Sequence, residues 1–429
     1  MAVSQRDKEI LKPLIHRYAA IANHPIQQET LKAWKANNGL RPVRPLYIIE
    51  QLPGGEINVD SYYRLKCEDG FARGIENDLR WQLFRWDTFP DDRVLLPEIS
   101  VGLNYSCTHL GMVPDEEVIP GKNGAGANAH VCKRDQLQSL ADVENIAYSR
   151  VTLAPDAWDK ARERRERIQE IVGDTLQVRI RGGISPYGHI WDEIIRWHGI
   201  DQSIIDLIDN PDLIHAIVRR TMDVYIDQVR QFEKLGLIDP APAFIHCTGA
   251  YTDELPGYNT DSEAEYDKLR YSAKNTWACA AAQIFAVVSP DMHDEFEIEY
   301  QKEWFSLFGM GYYGCCEALD RKIDIIRKLP NIRKISMSPW ADMERGAEAI
   351  NGDYVFSRKP SPAFFSGDSA WNPGLIRKDL EDCLSINQKF GNPVEFILKD
   401  LSTIDHRIDH LTQWAKIAAD VCGRQQPVV

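Results

Sequence analysis

From about residue 92 onward the sequence alternates short apolar runs with longer amphipathic ones, and this rhythm constrains the fold more than any other feature. The runs expected as strands cover 94–100, 176–181, 243–248, 311–315, 334–338, 354–357 and 394–399. Helical spacing of apolar residues covers 156–172, 201–208, 211–235, 264–282, 291–308, 319–328, 342–350, 375–389 and 405–421. Asn210 with Pro211, and Ser289 with Pro290, mark helix starts, and Gly236 marks a helix end. Strand alternating with helix argues for a parallel sheet. Seven strands are visible, and an eighth is sought in 283–288 or in the N-terminal part. Eight would make a TIM (β/α)8 barrel. An open doubly wound sheet is the alternative, but its glycine fingerprint has only a poor counterpart here. Gly121, Gly124 and Gly126 in PGKNGAGANAH follow no expected strand and open no expected helix. The expected organisation is therefore α/β, with a barrel over 91–429. A mainly helical N-terminal extension, 1–90, precedes it, and 76–87 reads as a half-buried helix.

Composition narrows the function classes. Of 429 residues 44% are hydrophobic and 27% charged, which supports a folded core and excludes a disordered chain. Sixty-four acidic against 50 basic side chains leave a net charge of −14, a field that repels phosphate backbones. The most basic stretch, 160–167, interleaves arginines with Glu163 and Glu166 and reads as a solvated helix face. Nucleic acid is not an expected partner. The longest apolar stretch, 277–288, is broken by Gln283 and falls short of the roughly 20 residues of a membrane helix. The first ten residues are charged, so no signal peptide is expected. Nine cysteines, mostly in apolar surroundings, fit free thiols in a reducing cytoplasm.

In a barrel of this kind chemistry sits at the C-terminal ends of the strands, so the residues that follow each strand are the candidates. After 176–181 comes GGISPYGHIWDE, where Gly182 and Gly183 permit a tight turn. Tyr187, His189 and Trp191 are placed there to line a pocket for an aromatic substrate. After 243–245 come His246 and Cys247, with Asp253 and Glu254 further on. Successive strand residues point to opposite faces, so one of His246 and Cys247 is expected to face the site. His246 is the candidate metal ligand or acid–base group. After 310–314 come Cys315, Cys316 and Glu317. The same alternation favours Cys316, with Glu317 beside it. Trp340 and Asp342 follow the next strand and border the cavity. Arg358 and Lys359 follow the one after and are placed to hold an anion. Asp400 ends the last strand as an acid, a base or a support for one.

Three further spacings have less chemistry behind them. His406 and His410 stand four apart on an expected helix, a chelating spacing that lacks the glutamate of HExxH. His130 and Cys132 stand two apart in an expected loop. His293 and Glu297 stand four apart at the start of a helix.

Three stretches carry a family resemblance. RIRGGISPYGHIWDEIIRWHGIDQSIIDLIDNPDLIHAIVRRTMDVYIDQVRQFEKLG resembles the uroporphyrinogen decarboxylase superfamily, where a strand and a glycine–proline loop lead into paired helices. QIFAVVSPDMHDEFEIEYQKEWFSLFGMGYYGCCEALDRKIDIIRKLPNIRKISMSPWADMERGAE is similar to the same superfamily's helix and the strand that carries H-x-C in its zinc methyltransferases. EFILKDLSTIDHRIDHLTQWAKIA resembles its C-terminus. In order, these cover roughly residues 90–422.

The resemblance implies a TIM barrel, often dimeric, so a homodimer is expected. It points to the corrinoid-dependent methyltransferase branch. The arginine-rich signature of the tetrapyrrole decarboxylases is absent from RPLYIIEQLPGG. Cys316 takes the place of the H-x-C cysteine, and GCCE suits relatives with divergent ligand sets of Glu, His and Cys. The implied activity moves a methyl group from a small donor, such as a phenyl methyl ether, to the cobalt of a corrinoid (cobalamin) held by a partner protein. A zinc ion held by Cys316, His246 and Glu317 would polarise the leaving oxygen. His246, Glu317 and Asp400 are the expected catalytic groups, and Tyr187, His189, Trp191, Trp340 and Arg358 the expected substrate contacts. A second reading is a decarboxylase of a carboxylated small molecule, bound by Arg179, Arg181, Arg358 and Lys359. A third, of another class, is a non-catalytic barrel that binds a corrinoid or a partner.

Overall fold

The computed structural model of the chain describes residues 3–57, 64–120, 127–181 and 183–424. Among them eight strands run parallel to a neighbour, and these are numbered in chain order. They are β1 Leu46–Ile49, β2 Glu98–Val101, β3 Gln177–Ile180, β4 Trp277–Ala280, β5 Met310–Tyr313, β6 Ile332–Met337, β7 Val355–Arg358 and β8 Val394–Leu398. Six form one parallel sheet in the order β1-β8-β7-β6-β5-β4, and β2 pairs with β3. Single bridges carry the array on from β4. Tyr187 pairs with Cys279, and Ile184 pairs with Ile238. Helices cover the outside, among them Ala157–Val172, Pro211–Leu235, Pro373–Phe390 and Ile408–Val421. The architecture is α/β, with these strands buried along their whole length, as a sheet covered by helices requires. No helix of the described residues is long and apolar enough to cross a membrane.

Two strands differ from expectation. β1 lies inside the N-terminal part, among the helices Gln5–Ala22, Pro25–Asn38 and Gly70–Thr88. Its four residues are all buried, and it pairs with β8 in the register Tyr47 to Phe396. β4 lies where 264–282 spaces like a helix. The helix there ends at Leu269, and the buried sequence WACA pairs with β5. The segment 283–288, one of the two places where an eighth strand is sought, contains the 3-10 turn Gln283–Val287, whereas β1 lies in the other, the N-terminal part. The expected strand 243–248 is a short antiparallel hairpin, Phe244–Ile245 with Thr248–Gly249. The glycine-rich loop 121–126 and Gly182 lie outside the described residues.

On the edge of β1 away from β8, carboxylates stand where a neighbouring strand would. Asp92 Oδ2 accepts the Tyr47 N–H at 3.0 Å and Asp91 Oδ2 accepts the Ile49 N–H at 3.0 Å. Arg44, Arg85 and Arg424 neutralise these two acids.

The interior of the six-stranded sheet is polar along one line. Lys334 on β6 and Glu395 on β8 are both 0% exposed and meet at 2.7 Å. Lys334 also donates to Gly249 O at 2.9 Å. Ser357 donates to Glu395 at 2.8 Å, and the Tyr312 hydroxyl meets Ser357 at 3.1 Å. Lys359 donates to the Tyr312 hydroxyl at 2.6 Å and also to Ser336. Ser336 donates to Cys315 O at 2.6 Å. Breaking a buried ion pair from one side strands the other charge. Glu395→Leu is therefore expected to cost about 3–5 kcal/mol in urea unfolding, and Lys334→Met in the same chain to recover most of it. A single variant as stable as wild type contradicts this.

Candidate functional site

The C-terminal ends of β4, β5 and β8 bring the chemistry-bearing residues together. At the end of β5 the chain turns at Gly314, whose φ is +95°. A Cβ there would meet the Leu319 side chain at 2.4 Å. This turn ends the strand alternation, so Cys315 and Cys316 do not point apart as expected. Their sulphurs lie 3.5 Å from each other. Cys315 is buried and Cys316 half-buried. The single proton of Cys316 lies between two acceptors, the Cys315 sulphur and Asp400 Oδ2 at 3.2 Å. Lys399, at the end of β8, donates to the Cys315 sulphur at 3.1 Å.

These contacts set the charges. The hydrogen bond from Cys316 and the nearby His246 and Lys399 hold the Cys315 thiol well below its usual range, against the opposing effect of burial. Cys316, facing that sulphur, is pushed up. Burial works against charge on Lys399, but the Cys247 and Cys315 sulphurs outweigh it and raise the ammonium above its usual range. These influences favour a thiolate on Cys315, a thiol on Cys316 and an ammonium on Lys399.

His246 stands at the tip of the hairpin with a φ of +55°, and Asp400 has a φ of +59°. Non-glycine residues in the left-handed region are a form of strain that concentrates at functional sites. Burial lowers His246 to about 4, so its ring is neutral at pH 7. Its ring lies 5.5 Å from His189 and 5.4 Å from Tyr312. The segment after β3 forms the facing wall. The Tyr187 hydroxyl reaches His246 O at 3.5 Å, and the residue is 48% exposed. His189 meets Cys279 at 3.6 Å and Asp192 at 3.4 Å. Burial disfavours its charge, yet Cys279 and Asp192 keep it protonated well above the usual imidazole range. Tyr187 also borders a cavity of about 610 Å³, walled by Tyr105, Trp197, Tyr225, Phe232 and Trp304.

Other expected residues stand elsewhere. Trp191 is 0% exposed and packs on Phe285 at 4.6 Å, so it belongs to the core. Trp340 is 81% exposed, on the surface after β6. Arg358 is buried and satisfied by Ser338 O at 2.7 Å and Asp379 at 3.2 Å, so it holds no substrate anion. Lys359 is spent on the interior line, and Arg179 and Arg181 on Glu98. The four cations that a carboxylated substrate would need are thus engaged. Glu317 is buried, and its Oε2 accepts the Cys315 N–H at 2.9 Å, which braces the thiol turn. Asp342 caps the helix Met343–Ile350.

The expected zinc ligands do not converge. Cys316 turns to Asp400, Glu317 to a backbone N–H, and His246 lies against Cys315. Among the described residues no group of three or more His, Cys, Asp or Glu side chains is arranged to hold a metal ion, so the donor set does not fit zinc. His410 stacks on Trp371 at 4.1 Å, and its helix begins only at Ile408, which removes the chelating spacing with His406. His130 and Cys132 lie on a hairpin strand, where His130 pairs with Glu116 at 3.2 Å.

Sequence reasoning missed Cys279, hidden in an apparent helix, and the roles of Cys315 and Lys399. The adjacent lysine and aspartate at the end of β8 were the available signal.

No family model matches the chain, and no curated protein matches it. Among solved structures it is similar to a methyltransferase from Methanosarcina mazei. The identity is 10%, the match covers 91% of this chain and 98% of that one, and the TM-score is 0.48.

A thiolate held by a lysine gives a direct readout. The ultraviolet thiolate absorbance of the native protein is expected to persist below pH 7 and to vanish in Cys315→Ser. In Lys399→Met the pH at which it is lost rises by about 1 to 3, the usual influence of a neighbouring opposite charge. An unchanged titration in both variants refutes the assignment.

Proposed function

We propose that the chain is a methyltransferase component of a corrinoid-dependent demethylase. It takes a methyl group from a small donor, with aromatic methyl ethers as the favoured class, and passes it to the cobalt of a partner corrinoid protein. The ordered resemblance across roughly residues 90–422 supports this reading. The structural observation that carries it is the gathering of Tyr187, His189, Cys316 and Lys399 around one strand-end site. We read the eight parallel strands as a (β/α)8 barrel, whose C-terminal mouth is where such folds place chemistry.

A phenolate leaves slowly unless its oxygen is hydrogen-bonded or protonated as the bond to carbon breaks. The corrinoid, when bound, supplies the nucleophile for the methyl carbon. The residues of this chain act on the oxygen. The donor ring lies against Tyr187, and the oxygen faces the charges of Lys399 and His189. As the carbon–oxygen bond breaks the oxygen keeps the electron pair, and His189 gives it a proton. The Cys315 thiolate keeps Lys399 charged and in place, and Asp400 holds the Cys316 thiol.

The test uses the purified full chain, reduced cobalamin and a panel of methoxylated aromatics. The expected outcome is phenol and methyl-cobalt in equal amounts. His189→Asn lowers the rate by about 10²–10⁴, the usual contribution of a positioned acid. Cobalt shown to be reduced, with no demethylated product from any donor, overturns the reading. Carbon dioxide released from a carboxylated substrate would replace it with the lyase reading.

A further inference from the structure

The site leaves one buried acid unused. Glu297 lies in the π-helical turn Asp294–Ile298, which separates the helix Pro290–His293 from Glu299–Ser306. Such turns are rare and concentrate at functional positions. Glu297 is 0% exposed, and neither carboxyl oxygen has a hydrogen-bond partner among the described residues.

Two neighbours share that condition. Gln301, also 0% exposed, spends its amide nitrogen on Gly188 O at 2.8 Å and leaves its amide oxygen unpartnered. Trp191 leaves its indole N–H unpartnered. Both side chains lie against Glu297. Buried polar atoms are nearly always paired, so four orphans around one carboxyl need a common explanation. A proton on Glu297 supplies it. The hydroxyl donates to Gln301 Oε1, and the other oxygen accepts the Trp191 indole N–H. An ionised Glu297 has only acceptors to offer and leaves Gln301 Oε1 unsatisfied.

We propose that Glu297 is a neutral carboxylic acid that works as a positioning residue. It fixes the Gln301 amide so that this amide holds Gly188, and through Gly188 the flanking Tyr187 and His189. The consequence for methyl transfer rests on the functional reading above, whereas the proton on Glu297 does not. Burial is the main influence on this carboxyl and drives it well above the carboxylate range. Glu317 adds to that effect, and His189 opposes it. Tyr313 on β5 faces it as an uncharged phenol. His293, on its own element, is engaged with the Tyr313 hydroxyl at 2.7 Å. Gly188 has no room to move inward, because a Cβ there would lie 2.5 Å from Trp304 Nε1. Loss of the proton would draw the Gln301 N–H away from Gly188 and release the segment.

Infrared spectroscopy of the full chain tests the proton without any donor. A buried, protonated carboxyl band is expected at pH 7 in wild type and is lost in Glu297→Gln. The Trp191 indole resonance stays in place in Glu297→Gln and moves in Glu297→Ala. In the transfer assay Glu297→Ala lowers kcat/KM by about a hundredfold, mostly through KM, as misplacement of a positioning segment does. Glu297→Gln restores most of that loss. If the alanine variant does not fold, the glutamine variant carries the test through the band and the unmoved indole resonance. A missing band in wild type, or a band that survives in Glu297→Gln, overturns the proposal. A chain that shows the band and the indole shift but transfers no methyl group keeps Glu297 neutral and ends the functional reading instead.

Discussion

A lysine ammonium and a glutamate that lose all contact with water must find each other, and in this chain they do so at the centre of the sheet. The Lys334–Glu395 pair fixes β6 and β8 at a set distance, with β7 between them. Ser357, Tyr312, Lys359 and Ser336 extend the pairing as a continuous line of hydrogen bonds to the carbonyl of Cys315. The thiol turn is thus anchored to the core and not merely laid over it. Such a line contributes little net stability, because desolvation offsets much of its attraction. What it provides is a fixed geometry, and a thiolate within reach of Lys399 depends on that geometry.

Much of the fold was legible because strand and helix leave different periods in a sequence. The long helix Pro211–Leu235 agrees with its expected span, and six of the seven expected strands form within a few residues of their bounds. β4 was hidden because Trp-Ala-Cys-Ala has no alternation and little β-branching, and it follows a helix without a clear break. β1 was hidden because four buried residues are too few for any period to show. Both are strands whose identity comes from their neighbours rather than from themselves.

The site was legible by position and less so by orientation. Reading strand ends found Tyr187, His189, His246, Cys316 and Asp400, which the fold does gather. The reading failed where it carried strand alternation past the strand. Gly314 bends the backbone, and both cysteines then share one face. It also could not tell a charge that awaits a ligand from one already spent. Arg358 looked available and is closed off by Ser338 and Asp379. Trp191 looked like a ring for stacking and is core. Sequence spacing says which residues share a neighbourhood, whereas the orphaned oxygens of Glu297 emerge only when every donor nearby has been placed.

The pairing of β1 with β8 bears on how this chain is made. These strands stand near opposite ends of the sequence, and β8 is the only strand laddered to β1 among the described residues. During synthesis β1 emerges early and has no ladder to join until β8 has followed it. Its apolar residues must wait while the intervening strands are made, guarded by the helices that flank it and by the carboxylates of Asp91 and Asp92. Long-range pairing of this kind slows folding and exposes an unpaired edge while it lasts. Two acidic side chains on the backbone of β1 occupy N–H groups along its other edge, so the contact that orders this edge in the folded chain also shields it while the chain is incomplete.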